Sequence, residues 1–315
     1  MDENELVRRL VSIGWRGSRA VRLGPGDDAA FLRGGLVLST DLAVEGVHFR
    51  LDWVSAEEAG FRAGAAALSD LAAMGAVPEA LLVSLAVPGD PSLAEALQRG
   101  VRNAGDRVGV AIIGGDLSRS PGPAVVDVVA AGRARTVVTR GAAEVGQGVW
   151  VSGSLGGAAA AVAAWLAGRE PHRRARERFA APPDRVPLGV ALAADGLACA
   201  MIDVSDGLVA DARRVAAASG VMIRIATDAV PVDAGAGDLN LALEGGEDYE
   251  LMFTAPAGTE SRIRALGQEM AVTLTRIGRV EEGTGVVLED DRGRHPVRSR
   301  GGYDHFAPPD TGGIP

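Results

Sequence analysis

The chain has 315 residues, 47% hydrophobic and 23% charged, with a formal net charge of −9, a composition that suits a globular protein with room for two domains. This acidic balance, with a pI near 5.1, argues against a nucleic-acid partner held through phosphate contacts. All 32 basic residues are Arg, which excludes a P-loop lysine, a kinase-type lysine and Schiff-base chemistry.

The N-terminus MDENELVRRL is acidic and amphipathic, unlike a charged-then-apolar leader, and no run of about 18 apolar residues predicts a membrane span. Leu36 to Thr40 predicts a strand delivering Asp41, and Ala56 to Ala73 an Ala-rich helix with Asp70 near its end. A strand over Leu81 to Val87, a helix from Pro91 to about Val108, a strand ending at Asp116 and a strand over Ala124 to Ala131 follow. These strands are apolar at nearly consecutive positions, which predicts that both faces become covered.

Gly141 to Gly148 marks the expected boundary between an N-terminal domain (1–140) and a C-terminal domain (141–306), with 307–315 a Pro- and Gly-rich disordered tail. The second half restarts with strand VWVSG and the small-residue helix after SGSLGG. Pro171 to Pro187, rich in Arg and Pro, predicts a surface connection. Strand AMIDVS, a helix from about Gly207 to Ser219 and strand VMIRIA come next. GGEDYELMF then puts Glu247 and Asp248 before a strand, and a helix and two strands end the domain. Cys199, in the apolar run LACAMIDV, is expected in the core; a single thiol excludes a disulfide framework and fits a reducing cytoplasm. LSDLAAMGAVP and VSDGLVADARRV also suggest a faint internal duplication.

The chemistry sits in five acidic motifs: GDDAAFL, STDLAVEGVHF, SDLAAMGA, GGDLSRS and DVSDGL. Each sets Asp beside Gly, Ser or Thr, so a carboxylate is presented from a tight turn with little bulk to shield it. Single Asp turns are common as caps. Collectively, Asp27, Asp28, Asp41, Asp70, Asp116, Asp203 and Asp206 mark strand ends and helix starts, where α/β proteins place ligands. Hard oxygen donors of this type suit Mg²⁺, which usually completes its shell with substrate phosphate and water. Metal-assisted phosphoryl transfer is the reaction class that needs such an array. Arg140 is a candidate phosphate partner. SGSLGG, Ser152 to Gly157, is a candidate phosphate cradle, and His48 a candidate substrate or acid–base group. HExxH, EF-hand and GxSxG patterns do not occur.

GDDAA, STD with VEGVHF, SDLAAMGA, GGD, DVSDGL, LEGGEDYEL and the terminal GYDHF occur in this order from Gly26 to Phe306. Together they resemble the thiamine-monophosphate kinases, a family grouped with aminoimidazole ribonucleotide synthetase, selenophosphate synthetase and a hydrogenase maturation protein. The resemblance implies an α/β (α+β) fold of two domains, with an N-terminal mixed sheet that forms a homodimer and a C-terminal α/β domain. It implies ATP-dependent phosphorylation of thiamine monophosphate to thiamine diphosphate with several Mg²⁺ ions. By motif, Asp28, Ser39, Thr40, Asp41, Asp70, Asp116, Asp203 and Asp206 would be metal ligands. Gly115, Asp116, Arg140 and Ser205 would meet ATP, and His48, Glu247 and Tyr303 would meet thiamine monophosphate. The chain departs from the family pattern at Ala67, usually Asn, at Leu117, usually Thr, and at Gly157, usually Asp. The alternatives are another ATP-dependent synthetase of the same superfamily and a nucleotide-binding sensor with weak turnover. No nucleic acid or membrane is expected as a partner.

Overall fold

The computed structural model describes residues 3–297. Its first half runs α1 (Glu3–Gly14), β1 (Val21–Leu23), β2 (Ala30–Leu32), β3 (Leu36–Val44), α2 (Ala56–Ala73), β4 (Val77–Val87), α3 (Pro91–Arg107), β5 (Ile112–Arg119) and β6 (Val125–Arg133). The second runs β7 (Gly148–Ser152), α4 (Gly157–Leu166), α5 (Arg173–Ala180), α6 (Val186–Ala194), β8 (Met201–Val204), α7 (Leu208–Ser219), β9 (Met222–Ala226), α8 (Leu239–Glu244), β10 (Glu250–Ala255), α9 (Glu260–Glu269), β11 (Leu274–Glu281), β12 (Gly285–Asp290) and β13 (Gly293–Pro296). Among the described residues no helix is long and apolar enough to cross a membrane.

The first sheet has the order β1-β2-β3-β6-β4-β5, antiparallel except for the β4–β5 pair. Its strands were expected to be covered on both faces, and within the single chain helices cover one of them. Along β6, Val126, Val128 and Ala130 are buried against α2, while Val125, Asp127 and Val129 alternate with them as half-buried residues. The opposite face carries Leu42 at 51% and Leu82 at 38% exposure. Helices supply the cover on one side, and the other side stays open within the chain.

The second sheet has the order β13-β12-β9-β11-β7-β10-β8. β7, β8 and β10 are buried at every residue, as strands covered on both faces must be.

α2 is the spine that both halves share. A capping box starts it: the Glu58 N–H donates to Ser55 Oγ at 3.2 Å, and the Ser55 N–H donates to Glu58 Oε2 at 2.8 Å. The stretch of α2 after Glu58 is almost entirely small or apolar, so it can be surrounded. It packs on β3 and β6 on one side and on α5, α6 and β8 on the other. Gly60 and Gly100 let α2 and α3 touch backbone to backbone, since a Cβ at either would strike a carbonyl oxygen of the other helix, Leu97 or Glu57.

Pro171 to Pro187 is more than a surface connection. It contains α5, whose Phe179 is 2% exposed, and Arg178 and Arg185 turn inward while Arg173 and Arg174 stay exposed. Arg185 donates to both oxygens of the fully buried Glu250 at 2.5 and 2.9 Å, and Arg178 donates to Oε1 at 2.8 Å. Arg176 pairs with both oxygens of Glu58 at 2.9 and 3.0 Å. A run of Arg signals solvent unless buried carboxylates meet it, and those lie far away in sequence. Cys199 is half-buried rather than a core residue. The suggested duplication also fails locally: Ser69 and Asp70 end α2, whereas Ser205 and Asp206 precede α7.

Candidate active site

Carboxylates from three separate elements converge where α2 meets β8. One oxygen each of Asp28, in the turn before β2, Asp70, in the last turn of α2, and Asp203, in β8, all lie within 4.8 Å of one another. Hydroxyls and a guanidinium hold them in place. Ser39 Oγ donates to Asp70, Ser69 Oγ donates to Asp203 Oδ2 at 2.8 Å, and Arg140 donates to both oxygens of Asp28 at 2.6 and 3.2 Å. Burial, then the neighbouring carboxylates, raises Asp70 and Asp203 well above the usual carboxylate range. These three residues could hold a cation between them, and an all-oxygen set fits a hard divalent ion.

Asp41 points from β3 toward the same region, its pKa pushed up to about 6 by burial and then by Asp127 and Asp206. Asp206 is ion-paired with Arg214, which also holds the buried Asp211. Ser205 contributes its carbonyl oxygen, which accepts the Glu247 N–H at 2.7 Å.

Strand alternation separates Thr40 from Ser39 and Asp41. Thr40 lies on the open face of the first sheet and donates to Asp127 Oδ1 at 2.8 Å. Gly115 and Asp116 lie on the exposed edge strand β5, Asp116 opposite Ser84 of β4. Tyr303 and the tail 307–315 fall outside the described residues.

An open cleft adjoins the cluster at Asp41, lined among others by Asp41, His48, Phe49, Arg62, Glu247 and Tyr249. His48 Nδ1 accepts the Val44 N–H at 3.1 Å, which leaves the neutral ring's proton on Nε2. Of the family departures, Ala67 is fully buried one turn before Asp70, Leu117 is 64% exposed on β5, and Gly157 opens α4 against Arg178.

Sequence reasoning missed Arg62, Ser69, Asp127, Asp211 and Arg214. Arg62 did leave a signal, as the one charged residue between Glu58 and Asp70.

Asp248, next to Glu247, supplies a test of this electrostatic picture. Its Oδ2 accepts the Gly156 N–H at 2.7 Å, while Oδ1 is buried with no hydrogen-bond partner. Burial pushes its pKa up to about 7. A raised carboxyl pKa contributes stability below the unfolded value, and this is lost as pH rises through the folded value. Asp248→Asn keeps an acceptor for Gly156 and never ionises. Its melting temperature relative to wild type should therefore climb between about pH 4 and pH 7 and level off above, the gain bounded by about 4 kcal/mol. A pH-independent difference would show that Asp248 does not carry this cost.

The AIR synthase related protein family matches with its N-terminal domain over residues 26–134 and its C-terminal domain over residues 144–291. The thiamine-monophosphate kinase of Mycobacterium tuberculosis is 37% identical, the match covering 99% of this chain and 94% of that one. Among solved structures, AaThiL complexed with AMPPCP and TMP superposes with a TM-score of 0.82 at 31% identity, covering 97% of both chains. The thiamine-monophosphate kinase of Stenotrophomonas maltophilia gives 0.76 at 36% identity over 89% of this chain and 94% of that one. The chain belongs to the AIR synthase related family and, within it, to the thiamine-monophosphate kinases.

Proposed function

We propose that this protein transfers the terminal phosphoryl group of ATP to the phosphate of thiamine monophosphate, giving thiamine diphosphate and ADP. The γ-phosphorus leaves its bridging oxygen, ADP departs with the electron pair, and an oxygen of the acceptor phosphate takes its place. The observation that carries this reading is the convergence of Asp28, Asp70 and Asp203 beside a cavity lined by His48 and Glu247. The relatives' activity and the AMPPCP and TMP bound to AaThiL support it.

Mg²⁺ is the ion we assign to the cluster, and when bound it supplies charge neutralisation between two anionic phosphates. Asp28, Asp70 and Asp203 would hold it, with Ser39, Asp41 and Asp206 adjacent. Arg140 would meet ATP phosphate, sharing its charge with Asp28, and the Ser205 segment would face the nucleotide. Thr40, Gly115 and Asp116 are retained as metal and ATP contacts on motif resemblance alone, since they lie apart from the cluster. His48 and Glu247 would orient thiamine monophosphate, and Tyr303 is retained on the same basis as Thr40.

We take 1–140 and 141–306 as the two domains, in line with a first sheet that ends at Arg133 and a second that begins at Gly148. The open face of the first sheet, where Leu42 and Leu82 are exposed, is where we place a twofold contact with a second copy. A cytoplasmic location is our reading from cysteine usage.

The test is incubation with ATP and Mg²⁺ plus either thiamine monophosphate or free thiamine. Thiamine diphosphate should form from the monophosphate, and free thiamine should remain unphosphorylated, because the cations are organised around an acceptor that already carries phosphate. Efficient turnover of free thiamine would sink the assignment.

A further inference from the structure

Arg62 lies in the middle of α2 and is 5% exposed. One of its N–H groups donates to the Phe179 carbonyl and another to Glu247 Oε2, while the guanidinium carbon sits 3.6 Å from the centroid of the Phe179 ring. Taking an arginine out of water to this extent is costly unless it is paired, so its partner matters. That partner, Glu247, comes from the other half of the chain and has left-handed backbone, φ 71°. Such a conformation in a side-chain-bearing residue persists only where its surroundings fix it.

Those surroundings point to the acceptor cavity. Backbone bonds from Glu247 to Ser205 at 2.7 Å and from Tyr249 to Val204 at 2.9 Å tie this turn to the end of β8, which leads to Asp206. Arg62 ties the side chain of the same turn to α2, which carries Asp70 eight residues on, about 12 Å along the helix axis. The Ser69–Asp203 bond closes the frame from the cluster side. Arg62, Glu247, His48 and Asp41 thus border one cavity.

We propose that Arg62 is a positioning residue for the phosphoryl acceptor. By engaging one carboxylate oxygen of Glu247 it fixes the side chain in the cavity wall and leaves the other oxygen for the acceptor's amino group or cationic ring. Arg62 then sets acceptor affinity and leaves nucleotide affinity untouched. This rests on the proposed role of Glu247 in acceptor binding.

The test compares wild type, Arg62→Met, Arg62→Lys, Glu247→Gln and the Met/Gln double variant, using thiamine monophosphate as acceptor and measuring KM for acceptor and for ATP. Arg62→Met should raise the acceptor KM at least about tenfold and move the ATP KM by less than about twofold. Glu247→Gln should do the same, and the double variant should be no worse than the poorer single one, because the residues act as one unit. Arg62→Lys, which keeps the charge but reaches only one partner, should restore the acceptor KM to within about threefold of wild type. An unchanged acceptor KM, a parallel rise in both KM values, or losses that multiply in the double variant would each overturn the assignment. Should Arg62→Met fail to fold, calorimetric titration of Arg62→Gln, which removes the charge but keeps hydrogen-bonding groups, with thiamine monophosphate and with an ATP analogue decides by the same split. Absence of product with wild type removes the acceptor reading and Arg62's role together. Product with unaltered acceptor KM in the Arg62 variants removes only the latter.

Discussion

Replacing Asp70 with Asn is expected to lower kcat by about two to three orders of magnitude while leaving the fold intact. Asp70 is buried beside Asp28 and Asp203, its charged form opposed by burial first and by those carboxylates next. A group raised in the folded state stabilises the protein below its unfolded pKa and loses that contribution as pH rises through the folded value. Metal-free wild type therefore loses stability as pH rises above the ordinary carboxylate range, and Asp70→Asn does not. Its metal-free melting temperature should equal or exceed that of wild type at pH 8, because the amide oxygen still accepts from Ser39. Mg²⁺ should stabilise wild type strongly and the variant little. Thermal melts with and without Mg²⁺, run beside turnover assays, read both effects. Near-wild-type kcat, or an undiminished Mg²⁺ shift, would remove Asp70 from the metal site; a lowered melting temperature with full activity per folded molecule would mark it as a packing residue.

Wild type should scatter light at micromolar concentration as a particle of about twice the 32.2 kDa chain mass, and Leu82→Asp should return it to the monomer mass. Leu82 is 38% exposed on the open face of β4, and Val129 of β6 and Thr40 of β3 complete its cross-strand row. In the next row Leu42 stands opposite Asp127, with Ser84 and Asp116 beyond. A carboxylate at position 82 is tolerable in the chain alone, where water reaches it. Buried against a second copy it is an unpaired charge, costing several kcal/mol and weakening association by orders of magnitude. A wild-type monomer that is fully active at low concentration would refute the interface.

The acidic motifs were legible because their chemistry is local. Asp beside Gly or Ser in a turn needs no distant partner to be noticed, and the boundaries of α2 follow from Ser55, Glu58 and an unbroken run of helix-compatible small residues. The β3 motif shows where this stops. Alternation alone separates Thr40 from Ser39 and Asp41, but nothing within STD says which side faces α2. The Arg-rich stretch before α6 misled for a related reason: Glu250, which draws Arg178 and Arg185 inward, lies 72 and 65 residues away.

By itself, then, the sequence determined the family, the two-sheet α/β class, the extent of α2 and the identity of most of the acidic groups that matter. Tertiary structure alone decided which carboxylates meet. It drew Asp28, Asp70 and Asp203 together, left Asp116 on an open edge, covered one face of the first sheet and joined Arg62 to Glu247 across 185 residues. The physical reason is desolvation: the worth of a charge depends on what surrounds it once water is excluded, and elements remote in the chain supply those surroundings.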